Sequence, residues 1–174
     1  MATTPAPSLD PKFVTQLRDH YCDLLAMEIP ITRRVLAAVP ADNKKSYKPD
    51  EHARSAQELA EHIVISDLEF MDGIIGKQFH PGVRPAGMPD SLDALPEFYE
   101  RRMNEYMSQV RQLDGDHLCA IVPFYGMQFP AFTYLGFLQN HSVHHRGELC
   151  TYLRPMGGTV PSIYGGSYDE PWQG

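Results

Sequence analysis

Apolar residues recur at helical spacing in four stretches of the chain. The first follows Asp10-Pro11, an N-cap residue with proline at the first helical position, and carries Val14, Leu17, Tyr21, Leu24 and then Glu28. Steps of three and four residues place side chains on one face of a helix. Pro30 falls inside this pattern. It lacks an N–H and its ring crowds the preceding turn, so it predicts a kink or an interruption, with the segment stopping before Pro40. The second stretch opens on Ser55-Ala56-Gln57-Glu58, a capping box, and continues through Leu59, Ile63, Phe70 and Ile74 to Gly76 as its stop. The third is expected over residues 92–113, with Tyr99, Met103, Tyr106, Met107, Val110 and Leu113 as its stripe, Pro96 in its first turns and Asp114-Gly115 as its end. The fourth, over 131–154, sets Leu135, Leu138, Ser142, Leu149 and Leu153 on one face and closes at Pro155 and Gly157.

Between the third and fourth stretches, residues 118–129 hold β-prone side chains around Tyr125-Gly126 and suggest a short hairpin. Residues 44–54 and 79–90 carry Pro, Gly and charge and read as loops. Five glycines and two prolines over 157–174 predict an irregular C-terminal segment, and the Ala/Thr/Pro-rich residues 1–9 read as a flexible tail. At 174 residues the chain is the size of one domain, here 10–174. Four amphipathic helices with irregular connections predict an all-α fold, a four-helix bundle.

Composition narrows the partners. The formal charge is −7 with scattered Lys and Arg, which argues against a nucleic-acid surface and against docking on an anionic membrane. No run of 18 apolar residues is present, so no transmembrane helix is expected. The N-terminus has neither the basic nor the apolar region of a secretory signal. Three cysteines without a CxxC spacing fit buried hydrophobes in a reducing cytoplasm better than a disulfide framework.

The chemistry concentrates in Asn140-His141-Ser142-Val143-His144-His145-Arg146-Gly147-Glu148. At about 100° per residue from Leu138, His145 lies roughly 20° away, His141 roughly 60° and His144 roughly 120°. His141 and His145 therefore face inward as an i, i+4 pair, close enough for two imidazoles to bind one cation, while His144 points sideways. A buried polar layer would use the same pair, so a third ligand from another helix decides between the two readings. His52, His80 and His117 look like loop residues. His20 on the first helix and His62 on the second remain equal candidates on spacing alone. Arg146 and Glu148 read as solvated or salt-bridged, Gly147 as permitting a close helix approach, and Asp67 as either an acceptor for a histidine N–H or an interhelical hydrogen bond.

The stretch from His141 to Leu149, followed by Tyr152-Leu153-Arg154, Gly157 and Val160-Pro161, resembles the terminal motif of the DinB family of bacterial helical bundles. Residues 54–63, ending in His62-Ile63, resemble the family segment that carries its first metal histidine, and residues 32–40 are similar to the end of its first helix. The resemblance spans roughly residues 24–165. It implies an up-down-down-up four-helix bundle, His62, His141 and His145 as a metal triad, and a homodimer. It also places Glu148 where many relatives carry glutamine, outside the triad.

Relatives in this family include thiol-dependent transferases and isomerases that use thiols such as bacillithiol or mycothiol, alongside stress-induced proteins. The resemblance thus implies a divalent transition metal, zinc or nickel foremost, and a metal-dependent transferase that takes a low-molecular-weight thiol and a small-molecule substrate. The alternative it leaves is a non-enzymatic, stress-responsive metal- or ligand-binding homodimer. Three imidazoles leave positions in the metal's coordination sphere for water or substrate, the arrangement of catalytic zinc sites. Imidazole also suits copper and iron, so the ligand set alone does not select the metal.

Overall fold

The structure, a computed structural model, describes residues 9–172. The tail expected over 1–9 lies, apart from the exposed Leu9, outside the described residues.

Helix α1 spans Pro11–Ala37, with the Asp10 carboxylate accepting the Lys12 N–H at 2.9 Å. It runs on through Pro30, so the expected interruption does not occur. Pro30 is exposed, and the buried residues on either side, Ile29, Thr32 and Val35, hold the helix to the core. From Tyr21 on, the inward stripe also lies one position further than the expected one. Val14, Cys22, Leu25, Ile29 and Leu36 are buried, whereas Leu17, Tyr21 and Leu24 are only half-buried. A one-residue step turns a helix face by about 100°.

Helix α2, Ala56–Gly76, begins at the expected capping box: Ser55 Oγ accepts the Glu58 N–H at 3.2 Å and the Glu58 carboxylate accepts the Ser55 N–H at 2.7 Å. Its left-handed C-terminal residue is Lys77 (φ 55°) rather than a glycine. The helix is buried on most of its circumference, from Leu59, Ile63 and Leu68 to Met71 and Ile74. Gly73 lets the Phe79 ring lie against it: a Cβ there would stand 2.3 Å from the ring. That contact fixes the start of the 77–90 loop.

Helix α3, Leu95–Val110, has Pro96 in its first turn and buries the expected stripe from Tyr99 to Val110, while Leu113 falls beyond its end and is half-buried. Asp114-Gly115 does not end it. Asp114 caps a further short helix, α4 (Gly115–Cys119), by accepting the His117 N–H at 2.8 Å. Aspartate before a helix is an N-cap, and the chain uses it so. Strands β1 (Ile121–Phe124) and β2 (Met127–Pro130) form the hairpin, antiparallel, with Phe124 opposite Met127. Its turn residues Tyr125 and Gly126 both have positive φ, 47° and 78°, as the right-handed strand twist requires of a two-residue loop. Helix α5, Thr133–Leu153, holds the hairpin through the Tyr134 hydroxyl, which donates to the Val122 carbonyl at 2.7 Å.

The architecture is therefore mostly helical with a small two-stranded sheet. Helix α1 packs on α3 and α5, α2 packs on the same two helices, and α4 sits against α1. The C-terminal segment is irregular, as expected, and is tied down by Arg154–Asp169 at 3.1 Å and by an Arg34–Glu170 ion pair. Among the described residues no helix is long and apolar enough to cross a membrane.

Candidate metal centre

The α2–α5 contact brings His62 to His141 and His145. His62 Nε2 stands 3.2 Å from His145 Nε2 and 3.2 Å from His141 Nε2. The three side chains form a cluster able to hold a metal ion, each of them part-buried. His20 is exposed on α1 beside Tyr21 and stands apart from the cluster. His144 is exposed and stacks edge-on against His145. His52 and His80 are exposed loop residues, while His117 lies on α4 with Nε2 2.9 Å from the Ile74 carbonyl oxygen.

Each imidazole is also held at its other nitrogen. His141 Nδ1 lies 3.1 Å from the Asp67 carboxylate, His145 Nδ1 2.9 Å from Glu148, and His62 Nδ1 3.3 Å from the Ser66 hydroxyl. An ionised carboxylate only accepts, so Nδ1 of His141 and His145 carries the hydrogen and Nε2 presents a bare lone pair. Burial lowers the His145 imidazole, against the opposing pull of Glu148. Burial, then Arg54 and the two other histidines, push His62 down to about 4. With Nδ1 of His141 and His145 bearing the ring hydrogen, the three Nε2 atoms crowd at one point with at most one hydrogen, that of His62, among them. A cation there relieves that repulsion. The spacing fits one: two nitrogens each about 2.0–2.1 Å from a zinc-sized ion stand roughly 3.3 Å apart at a tetrahedral angle.

Behind the triad runs a buried polar chain. Asp67, fully buried, also accepts from the Tyr99 hydroxyl at 3.0 Å. Both sequence readings of Asp67 therefore hold, since it orients a histidine and bridges α2 to α3. The Tyr99 phenol is held well above its usual range by burial and by Asp67, with Thr32 and Ser142 hydroxyls beside it. Thr32 in turn accepts from Arg146 at 3.0 Å. Arg146 is 1% exposed and paired with Glu28 at 2.5 Å, so of its two readings the salt bridge holds and the solvated one does not. The partners lie on α1 and on Tyr164 of the C-terminal segment, and no local pattern announces them. Gly147 is corrected too: it is exposed, and a Cβ there would meet nothing within 4 Å. Glu148, half-buried, is more than a surface charge. Its spacing at i+3 from His145 was the signal that could have revealed the bond.

A cavity of about 530 Å³ opens beside the triad, walled by Ile65, Phe70, Phe124 and Tyr125 on apolar surfaces and by Glu58, Glu61 and Glu69 on charged ones. Sequence reasoning missed this wall, because the hairpin and α2 meet only in the folded chain. Glu148 also groups with His144 and His145 as a second possible ligand set. That set reuses His145 and leans on the exposed His144, so the part-buried triad is the better-formed centre.

The fold and cluster define a class: a helical domain with an interhelical histidine triad able to hold a metal ion. The sequence pattern of the DinB family matches residues 15–173, and the chain belongs to that family. It is similar to the uncharacterized protein YrdA of Bacillus subtilis (strain 168), 25% identical over 156 residues that cover 89% of this chain and 92% of YrdA. It is also similar to the uncharacterized protein YjoA of the same strain, 28% identical over 120 residues that cover 68% of this chain and 78% of YjoA. The crystal structure of DinB-like YjoA matches with a TM-score of 0.67 at 24% identity, covering 86% of this chain and 97% of that one. A DinB-like protein from Bacillus cereus ATCC 10987 matches at 0.69 and 22% identity, covering 84% and 97%. At these identities the structural likeness bears on the fold alone.

Proposed function

We propose that the protein binds one divalent transition metal, zinc or nickel foremost, through His62, His141 and His145, and uses it in a transfer reaction with a low-molecular-weight thiol. The observation that supports this reading is the convergence of three Nε2 atoms while all three Nδ1 atoms are taken by Ser66, Asp67 and Glu148. Such a cation supplies Lewis acidity, lowering the pKa of a thiol or water in its open position. The chain's own residues do the rest. Asp67 and Glu148 fix the ring orientations, burial disfavours the charged forms of His62 and His145, and Ile65, Phe70 and Phe124 wall off one side of the adjoining cavity from water.

The test supplies bacillithiol, mycothiol, glutathione and cysteine singly, with a chromogenic electrophile, to metal-loaded protein and to His145→Ala. Turnover that needs one particular thiol and the intact triad supports the transferase. No metal-dependent rate with any thiol contradicts it and shifts the reading to metal binding without catalysis. We place the protein in the cytoplasm, in keeping with its three free cysteines; burial pushes the Cys22 thiol up to about 11, leaving it inert. We also propose a homodimer, on the family resemblance. The α3 stripe gives it no support, since its residues are buried within the chain.

A further inference from the structure

The cavity beside the triad has a one-sided charge. Three glutamates line it, and no lysine or arginine does. Two of the three are already engaged. Glu58 caps α2 and lies 3.6 Å from Lys48, and Glu61 lies 3.6 Å from Arg84. Glu69 differs. One of its oxygens accepts only a long 3.4 Å bond from the Gly82 N–H, and the other is buried with no hydrogen-bond partner among the described residues. Burial pushes its carboxyl up from the usual range, the mark of a charge the protein does not compensate.

Part of the lining is aromatic. Phe70, Phe124 and Tyr125 line the cavity, and the rings of Phe124 and Tyr125 stand 4.7 Å apart. Tyr125 holds a position that favours Asn or Gly: its φ is 47°, in the left-handed region, where a bulky residue is strained. Its ring is 75% exposed, so core packing does not explain the choice. Aromatic faces attract cations, and a cavity of about 530 Å³ is in the range of small-molecule sites.

We infer that this cavity takes an organic cation, with its apolar, ring-sized body against Phe70, Phe124 and Tyr125 and its positive group at Glu69. This deepens the proposed function by naming the class of its small-molecule substrate, and it rests on that reading only in that the cavity adjoins the centre. An anionic ligand of the same size would meet three carboxylates in a lining that holds no lysine or arginine.

The probe is benzyltrimethylammonium, whose quaternary nitrogen can neither ligate a metal nor donate a proton. Benzoate and N-benzylacetamide serve as anionic and neutral counterparts. Each is titrated by calorimetry into zinc-loaded protein and into metal-free His145→Ala. The cation is expected to bind about tenfold more tightly than either counterpart, and Glu69→Gln to weaken it by about tenfold. Tyr125→Gly, which relieves the backbone strain, should weaken it severalfold while both variants keep their metal. Cation binding that persists in His145→Ala keeps this inference even where the metal reading fails. Benzoate binding as tightly as the cation, or an affinity unchanged in both Glu69→Gln and Tyr125→Gly, overturns it.

Discussion

Asp67 has no access to solvent and accepts from both His141 and Tyr99. Asp67→Asn keeps the shape but offers an amide that donates as well as accepts, so His141 loses the partner that fixes its tautomer. Metal affinity, read by chelator competition, should fall by about 10–100-fold. Glu148 is 34% exposed at its side chain, so water can replace it, and Glu148→Gln should cost less. Equal losses, or none, would contradict the orienting role. His62 carries a pH consequence. Its folded pKa of about 4 lies below the ordinary 6.5, so the folded chain disfavours the charged imidazole. That contribution is fully present above pH 6.5 and is lost as the pH falls toward 4. The melting temperature of metal-free protein should drop over that window, and less steeply in His62→Gln; identical pH profiles would contradict it. At this scale the i, i+4 pair was legible from spacing, and His62 only through resemblance. Arg146 was not legible, because Glu28 and Thr32 lie more than a hundred residues away in sequence.

The helices were readable where local chemistry sets them. The capping box of α2 and the stripe of α3 rest on neighbouring residues, and both stand. The misreadings came where one residue serves two purposes. Asp114 can follow a helix or cap one, and only the packing of α4 on α1 decides, with Gly115 admitting the Pro11 backbone where a Cβ would lie 2.2 Å from its carbonyl oxygen. Pro30 breaks an isolated helix, yet tertiary burial of Ile29 and Thr32 outweighs its propensity. Because Pro30 is exposed and its helix continues, Pro30→Ala should restore one backbone hydrogen bond and raise stability by up to about 3 kcal/mol in urea unfolding. No gain would mean that the helix has already adapted its backbone around the ring.

In the whole molecule, α1 and α2 each contact α3 and α5, and the functional reading depends on one of those seams, the α2–α5 contact. The helical class was legible from the three- and four-residue spacing of apolar positions, although α2 is buried on most of its circumference. The cavity was not, since it needs the hairpin, α2 and α5 together. The central claim is that the α2–α5 histidines form one metal centre. It is tested most directly by elemental analysis of protein purified without chelator, across single histidine variants. The account predicts about one divalent transition metal per chain in the native protein and in His20→Ala and His144→Ala, and almost none in His62→Ala, His141→Ala or His145→Ala. Full metal content surviving in His145→Ala, or its loss in His20→Ala instead of His62→Ala, would contradict it.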